Sequence, residues 1–263
     1  MRVKPRIARA PAGRSVRACA SSRSRRSERL ELDRIRRVYA ARSDRGKDPR
    51  YSAYAMPALL ALHQRERMLL AKLGATCEKD LHELDILDVG CGSGGDLVRL
   101  VGHDADPARM HGIDLRAEVI ATARQRLPSV DLRVANAAEL PHPDRSMDLI
   151  LQSTVLSSIL DAGLRRRIAA EMMRVIRPTG LIVSYDFWIN PLNRDTRGVS
   201  RRELRALFPS HRVHVRSATL MPPIARLVAP RSYPLAAALQ AVPVLRTHIM
   251  AFISAPPGDL PAS

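Results

Sequence analysis

Alternating glycines at the end of an apolar run constrain the fold of this chain more than any other feature. The run Ile86–Val89 contains one acid, Asp88, and is followed by Gly90, Gly92 and Gly94. A strand that stops at a glycine turn lets a ligand approach the backbone, because glycine has no Cβ to block it. The helix predicted to follow presents free N–H groups and the positive end of its dipole to the same turn. The segment therefore predicts a strand, a turn and a helix that together bind a ligand.

A second apolar stretch, residues 110–113, ends in the acid Asp114, twenty positions after Gly94. This is about the spacing at which a second strand places a carboxylate on the hydroxyls of a ribose. The two motifs together predict a crevice for a nucleoside at the carboxyl ends of parallel strands.

The glycines alone leave two classes of protein open. Gly90, Gly92 and Gly95 also satisfy the G-x-G-x-x-G pattern, which makes a nicotinamide oxidoreductase an alternative. Asp88 argues against that alternative, since dinucleotide folds usually have an apolar residue two positions before the first glycine. The order D-x-G-x-G-x-G, followed by a second strand that ends in an acid, resembles the first motifs of class I S-adenosylmethionine-dependent methyltransferases.

The resemblance continues in the family's order over roughly residues 80 to 190. Val134–Pro141 resembles the third-strand motif that lies against the adenine, and Met147–Ser153 resembles the fourth strand. Arg174–Val183 resembles the following helix, turn and fifth strand. The ordered set is far more specific than any single motif, and it implies an enzyme that uses S-adenosylmethionine as its cofactor.

The resemblance assigns the nucleoside contacts residue by residue. Asp114 is expected to accept hydrogen bonds from both ribose hydroxyls, and Leu115 to pack on the adenine. Asn136 and Ala137 are expected at the polar edge of the adenine. The family usually has Asp where this chain has Asn136, but an amide oxygen can still accept from the adenine amino group.

The remaining expected cofactor contacts surround the methionine part of the cofactor. Asp88 is expected to orient the methionine amine, and Gln152 and Ser153 to lie near the methionine at the end of the fourth strand. Backbone approach is expected along the glycine turn, at Gly90, Cys91, Gly92 and Gly94.

Methyl transfer from a sulfonium needs in-line positioning and exclusion of water more than it needs stabilisation of a new charge. A hydroxyl acceptor benefits from a base with a pKa near neutrality, which makes histidine the first candidate. His248 is the predicted base, because it begins the last strand directly after a long insertion. No metal site is predicted, since the three cysteines of the chain form no C-x-x-C pair.

Short apolar runs alternate with helical stretches from residue 85 onward. This alternation predicts a Rossmann-like, doubly wound α/β fold with helices on both faces of a mostly parallel sheet, and the resemblance adds an antiparallel last strand. Apolar residues recur at helical spacing between Leu164 and Val175, which turns Arg165, Arg166 and Arg167 outward.

The chain of 263 residues suits one domain with appendages. The core is predicted over 81–220, behind an N-terminal helical lid over 30–80. Residues 1–29 are predicted to be a disordered basic tail or to precede the natural start. The proline-rich segment 221–246 is predicted to be an insertion that shapes the acceptor pocket, and 247–263 the last strand and tail.

The net charge of +17 raises the possibility of a nucleic-acid substrate. Residues 1–27 hold nine basic side chains and no acid, and the rest of the excess is spread along the chain. Aromatic residues make up only 3%, which leaves few platforms for stacking bases. The charge pattern therefore argues against nucleic acid as a partner. A cytoplasmic location is expected from the cysteine usage, and no apolar run is long enough to span a membrane.

Three further segments narrow the resemblance to small bacterial methyltransferases of the methyltransferase-11-like subgroup, often associated with glycan or secondary-metabolite assembly: Gln152–Leu156, Tyr185–Trp188 and Leu207–Pro209. The resulting prediction is methyl transfer to a small-molecule acceptor, such as a glycan, lipid or secondary-metabolite hydroxyl. Two alternatives stay open: a methyltransferase that acts on RNA or protein, and a catalytically idle partner subunit.

Overall fold

The computed structural model describes residues 22–45, 55–77, 79–190 and 193–256. The part of the chain described forms a seven-stranded sheet in the order β3-β2-β1-β4-β5-β7-β6. The strands are β1 Ile86–Val89, β2 Met110–Asp114, β3 Asp131–Val134, β4 Met147–Ser153, β5 Ile176–Phe187, β6 Arg212–Leu220 and β7 Arg246–Ser254. The helices are α1 Ser22–Arg45, α2 Met56–Thr76, α3 Gly95–Val101, α4 Ala117–Arg126, α5 Val155–Ser158, α6 Ala162–Val175, α7 Arg201–Leu207, α8 Pro222–Val228 and α9 Tyr233–Ala241.

The strand directions confirm the predicted fold class. β1 pairs in parallel with β2 and β4, and these pair in parallel with β3 and β5. β7 alone runs antiparallel, between β5 and β6. The order reverses at β1, so the carboxyl ends of β1, β2 and β4 form the crevice in which open α/β sheets bind ligands.

Two apolar layers cover the sheet because neighbouring strand residues point to opposite faces. Leu87 packs with Ile168 of α6 in one layer, and Ile86 packs with Leu97 of α3 in the other. The central strands β1 and β4 are buried on both faces, which explains why they appear in the sequence as continuous apolar runs rather than alternating ones.

The N-terminal helix α1 begins at Ser22, ahead of the boundary at residue 30 that was predicted for the start of ordered structure. Residues 1–21 lie outside the described part of the chain. Glu31 anchors α1, since its carboxylate accepts from the backbone N–H of Leu160 at 2.5 Å and from Arg34 at 2.8 Å. The Tyr39 hydroxyl lies 2.7 Å from Ser158 Oγ. These contacts hold α1 above the carboxyl ends of the central strands.

The segment predicted as an insertion forms α8 and α9, which pack against α2 and β6. Gln64 of α2 joins them, because its side-chain oxygen accepts from Thr219 N–H at 2.6 Å and from Gln240 Nε2 at 2.9 Å. A small apolar cluster fills the space between these elements: Leu60, Leu220, Ala225, Ala229 and Ala236.

Two local predictions differ from the structure. Arg165 is fully buried rather than outward, and its guanidinium donates to the carbonyl oxygen of Ile159 at 2.7 Å and to Glu203 at 2.7 Å. It joins α6 to α7, a tertiary contact that helical periodicity does not reveal. The predicted turn at residues 178–180 is instead an irregularity within β5, where the pairing with β4 moves from Ile176 to Leu181.

No helix among the described residues has the length and apolar character needed to cross a membrane.

Candidate active site

The glycine turn between β1 and α3 has the backbone conformation that the sequence predicts. Gly90, Gly92 and Gly94 have φ angles of +75°, +54° and +78°, which side chains of L-residues rarely allow. A Cβ added at Gly90 would lie 2.4 Å from Val155 Cγ2. The Gly90 N–H donates to the Ile113 carbonyl at 2.8 Å, which holds the turn against β2. The turn therefore needs glycine both for its conformation and for its close packing.

Asp88 lies at the base of this turn with its side chain fully buried. Among the described residues, its Oδ1 atom has no hydrogen-bond partner. Burial raises the pKa of this carboxyl to about 7, against the opposing effect of the Arg65 charge. A buried acceptor without a donor is costly, so the position fits a donor supplied by a ligand, such as an amine.

Asp114 ends β2 beside the turn, and its carboxylate already has several donors. Oδ2 accepts from Gly92 N–H at 3.0 Å, and Oδ1 accepts from the backbone N–H and Nε of Arg116 at 3.0 and 3.1 Å. The Arg116 guanidinium lies 4.7 Å from the centre of the Tyr39 ring in α1. A carboxylate has about four acceptor positions, so a ribose diol that engages Asp114 at two points displaces part of the Arg116 contact. Sequence reasoning missed Arg116, although it follows the acid by two positions.

Asn136 and Ala137 lie on the loop after β3, across the crevice from Leu115. The Asn136 side-chain oxygen accepts from Ala138 N–H at 3.0 Å, and its amide nitrogen donates to Glu28 of α1 at 3.1 Å. The amide oxygen retains a second lone pair for a ligand donor. The contact with Glu28 also orients the amide, and no sequence pattern indicated it.

Most of these residues line one cavity of about 260 Å³ beside α1, whereas Asp88 and Gly94 are not among its lining residues. Its floor is the glycine turn with Asp114, and its roof is made by Leu32, Ile35 and Tyr39. The further lining residues that sequence analysis named are Gly92, Leu115, Asn136, Ala137 and Ser153. The structure thus brings most of the predicted cofactor residues to one crevice.

Gln152 points away from that cavity, into a buried polar network. Its Nε2 donates to Asp186 Oδ2 at 2.5 Å and to the Ser184 hydroxyl, and its oxygen accepts from Val155 N–H at 3.0 Å. Burial raises the pKa of the Asp186 carboxyl, which also accepts from the backbone N–H of Ser157 at 2.8 Å. The network holds the start of α5 against β5. Gln152 therefore supports the wall of the crevice and does not line the cavity itself.

Ser153 belongs to a second polar cluster, at the junction of α2, α3 and β4. Its hydroxyl donates to Asp96 at 2.8 Å and accepts from Arg65 Nη2 at 2.6 Å. Arg65 also pairs with Asp96 at 3.0 Å and lies 4.2 Å from the centre of the Tyr185 ring. Sequence reasoning missed Arg65, because α2 contacts this edge of the sheet only in the folded chain.

A smaller cavity of about 40 Å³ lies beside this cluster, between α2, α3 and the sheet. Leu62, Tyr185 and Met250 give it an apolar wall, and Arg65 with Asp96 gives it a charged one. Ser153 lines both cavities and therefore marks the point where they meet. No residue of segment 221–246 is among the described residues that line either one.

His248 lies at the start of β7, opposite Phe187 at the carboxyl end of β5. It stacks on Tyr185 with 4.9 Å between ring centres and 5° between ring planes. Burial, with a smaller contribution from the charge of Arg65, lowers the pKa of this imidazole to about 3. The ring is therefore neutral at pH 7, which is unfavourable for a general base that needs a pKa near the working pH.

Cys91 is buried beneath the turn, and a Cβ on Gly112 would lie 3.0 Å from its sulfur. Burial raises the pKa of its thiol, so this cysteine is a packed apolar residue rather than a nucleophile.

The comparisons with known proteins agree with this site. Residues 86–180 match the family described as a methyltransferase domain. A probable S-adenosylmethionine-dependent methyltransferase of Mycobacterium tuberculosis is 28% identical over 198 residues, which cover 65% of this chain and 67% of the relative. The 27-O-demethylrifamycin SV methyltransferase of Amycolatopsis mediterranei is 32% identical over 112 residues, covering 40% of this chain and 39% of the relative.

A solved structure with the same fold is geranyl diphosphate C-methyltransferase from Streptomyces coelicolor, bound to Mg²⁺, geranyl diphosphate and S-adenosyl-L-homocysteine. It superimposes with a TM-score of 0.54 at 18% identity, over 80% of this chain and 87% of that one. The motifs, the sheet order and the relatives give one answer: this chain is a class I S-adenosylmethionine-dependent methyltransferase, and S-adenosylmethionine is its cofactor.

Proposed function

We propose that this enzyme transfers the methyl group to a small-molecule acceptor, with a hydroxyl of a glycan, lipid or secondary metabolite as the preferred class. The observation that carries the proposal is the roof formed by α1. Leu32, Ile35 and Tyr39 cover the 260 Å³ cavity, and Arg34 donates to the Ser158 carbonyl at 2.6 Å to hold the helix in place. A polymer needs an open groove leading to the reacting atoms, whereas a covered cavity suits a compact acceptor.

The relative from Amycolatopsis supports this class of acceptor, since its name describes a methyltransferase that acts on 27-O-demethylrifamycin SV. The match covers only 39% of that relative, so it supports a small acceptor without naming one.

The cofactor supplies an electrophilic methyl group on a sulfonium, and the chain supplies positions and a dry cavity. We propose that Asp114 holds the ribose hydroxyls and that the partnerless Oδ1 of Asp88 accepts from the methionine amine. The turn at Gly90, Gly92 and Gly94 gives both contacts a rigid backbone. Leu115, Asn136 and Ala137 would hold the adenine between β2 and the loop after β3.

The acceptor is proposed to enter where the two cavities meet, near Ser153. Tyr185 lines the smaller cavity on the β5–β7 side, and His248 stacks against the Tyr185 ring. A neutral His248 can accept a hydrogen bond and so orient an acceptor hydroxyl, whereas its pKa of about 3 makes it a weak base. The prediction of His248 as base therefore becomes a proposal about orientation, and a cytoplasmic location stays a proposal from cysteine usage.

The test offers labelled S-adenosylmethionine to the full chain with three acceptor pools. These are a set of small hydroxylated compounds (a hydroquinone, a phenol and an alkyl glycoside), total RNA, and purified protein. We expect label only in the small compounds, and much less of it with Asp114→Asn at the same cofactor concentration. Label in RNA, with binding that weakens steeply as salt rises, would instead identify a nucleic-acid enzyme. Tight S-adenosylhomocysteine binding without label in any pool would indicate an idle partner subunit.

A further inference from the structure

The strand order brings two histidines and one aspartate together at the opposite end of the sheet from the cofactor crevice. His111 and Asp131 are paired residues in the β2–β3 register, at the amino ends of their strands. His142, on the loop between β3 and β4, lies against them with 5.3 Å between its ring centre and that of His111. One ligating atom from each residue lies within 4.8 Å of the other two.

We propose that His111, Asp131 and His142 form a binding site for a divalent transition-metal ion, with zinc as the reference ion. Two imidazole nitrogens and one carboxylate oxygen are a ligand set that zinc and its first-row neighbours use. None of the three residues lies at the cofactor crevice. His111 lies three positions before Asp114 in β2, which is about 10 Å along the strand.

The state of His142 is the second observation that indicates a ligand. The residue is only 7% exposed, and neither ring nitrogen has a hydrogen-bond partner among the described residues. A buried imidazole normally satisfies both nitrogens, and an unsatisfied pair calls for an unseen water or ion. The ring is also held in place, because the His142 carbonyl accepts from Arg174 at 2.9 Å.

The site needs a small contraction to close around an ion. His111 Nδ1 is 3.1 Å from Asp131 Oδ2, close to the roughly 3.3 Å that separates ligand atoms around tetrahedral zinc. The span of up to 4.8 Å to His142 has to shorten by about 1.5 Å on the same geometry. His111 and Asp131 are partly exposed, so a solvent molecule can reach the fourth position.

Arg133 is the group that opposes metal binding. It contacts both oxygens of Asp131, with Nε donating to Oδ1 at 2.9 Å and Nη2 lying 2.7 Å from Oδ2. The Nη2 contact has to be given up, while the Nε contact can remain and orient the carboxylate, as partners of metal ligands commonly do. Half of the Arg133 side chain is exposed, so its guanidinium has solvent to move into.

An ion at this position would join three segments at the edge of the sheet. β3 is a four-residue edge strand, and the loop after it carries Asn136 and Ala137 into the cofactor cavity. The metal would therefore stabilise the loop that meets the adenine without touching the cofactor.

The test is a titration of tag-free, chelator-treated full chain with Co²⁺, followed by visible absorption and calorimetry. We expect one Co²⁺ per chain, displaced by Zn²⁺, and a rise in the unfolding midpoint at saturation. Asp131→Asn and His142→Gln should each weaken binding by at least the tenfold to hundredfold that loss of an outer-shell partner costs, since each removes a direct ligand. Arg133→Gln should tighten it, because the competing cation is removed.

The matched control is His82→Gln, which changes an exposed histidine in the short helix Leu81–Glu83 and should leave binding unchanged. S-adenosylhomocysteine binding by each variant reports that it is folded, and His111→Gln replaces His142→Gln if the latter fails this check. Absence of saturable Co²⁺ binding would overturn the proposal. So would equal affinities in wild type and both ligand variants, or thiolate absorption bands, which would place the ion on one of the three cysteines.

Discussion

The proposed cofactor end and the proposed acceptor end of this enzyme are built in different ways, although both lie at the carboxyl ends of the strands. The cofactor end uses backbone groups in a left-handed turn and two carboxylates, Asp88 and Asp114. The acceptor end uses side chains from α2, β5 and β7, represented by Arg65, Tyr185 and His248. The first depends on residues that are close in sequence, and the second on residues that only folding brings together.

The difference has an energetic consequence. A backbone turn tolerates no change of conformation, so substitutions there act on folding and on cofactor affinity at once. A cluster of side chains can lose one member and relax around the loss. Substitutions at the acceptor end should therefore be milder and should leave cofactor affinity intact.

The strongest test of the cofactor end is Gly90→Ala. The new methyl group would lie 2.4 Å from Val155 Cγ2, in a residue with φ of +75°. Left-handed strain of about 1–2 kcal/mol and overpacking of about 1–3 kcal/mol should add up to a large loss of stability. We expect a much lower unfolding midpoint and no measurable S-adenosylhomocysteine binding by calorimetry.

Gly74→Ala is the matched control, because a Cβ there meets nothing within 4 Å in α2. Alanine in a helix should stabilise the protein by roughly 0.5–1 kcal/mol. The double variant Gly90→Ala/Val155→Ala removes the clash but keeps the left-handed strain, so it should recover part of the loss. Equal stability of Gly90→Ala and Gly74→Ala would contradict the requirement for glycine at the turn.

The Asp88→Asn variant separates two effects of this carboxylate. One is the free energy of unfolding lost by burying its charge, and the other is its proposed contact with the methionine amine. Burial raises the pKa of Asp88 from 3.8 to about 7, so the folded state holds a proton over a range of pH where the unfolded state has lost it. The wild type consequently loses stability as pH rises from about 4 to about 7, by at most about 4 kcal/mol. Asparagine has no charge to bury, so the variant does not lose stability over this pH range for that reason.

We expect Asp88→Asn to unfold at a higher temperature than wild type at pH 8, with the difference shrinking toward pH 4. At the same time the variant should bind S-adenosylhomocysteine more weakly, because an amide replaces the proposed acceptor of the amine. Calorimetric unfolding at four pH values, with and without ligand, measures both effects. A difference in stability that does not vary with pH would show that Asp88 is not a buried charge.

Asp114→Asn should weaken cofactor binding by about 10- to 100-fold, since hydrogen bonds to a charged group contribute about 1.5–3 kcal/mol. Calorimetric titration with S-adenosylhomocysteine measures the change. The control is Asp106→Asn, at the other end of β2, where the carboxylate accepts from Ala108 N–H. That variant should change neither the stability, by more than about 0.5 kcal/mol, nor the cofactor affinity, because asparagine caps a helix about as well as aspartate.

The smallest effect is expected at the acceptor end, from Arg65→Met. The change removes the contacts of Arg65 with Asp96 and Ser153, while Asp96 keeps its pairing with Arg99. A loss of about 1 kcal/mol should lower the unfolding midpoint by roughly 2–4 °C. Cofactor affinity should stay within about twofold of wild type. A loss of cofactor affinity as large as that expected for Asp114→Asn would mean that the two ends are coupled through Ser153.

The sequence by itself determined the fold class, the cofactor and the position of the glycine turn. These depend on residues that are near one another in the chain. The features that predicted them are an apolar run, glycines that permit a left-handed backbone, and an acid at the end of the next strand. The position of Asp114 beside the turn could be predicted from its spacing, because a strand, a helix and a second strand bring their ends together in one handedness.

Only the tertiary structure decided the side-chain partners. Gln152 occurs at the end of a strand as predicted, but its burial against Asp186 depends on the β4–β5 pairing. Helical periodicity predicted an exposed position for Arg165, whereas its contact with Glu203 of α7 places it in the interior. His111, Asp131 and His142 meet because β2 and β3 pair in one register and the following loop folds back. Sequence order specifies backbone elements, whereas contacts between distant side chains depend on how those elements pack.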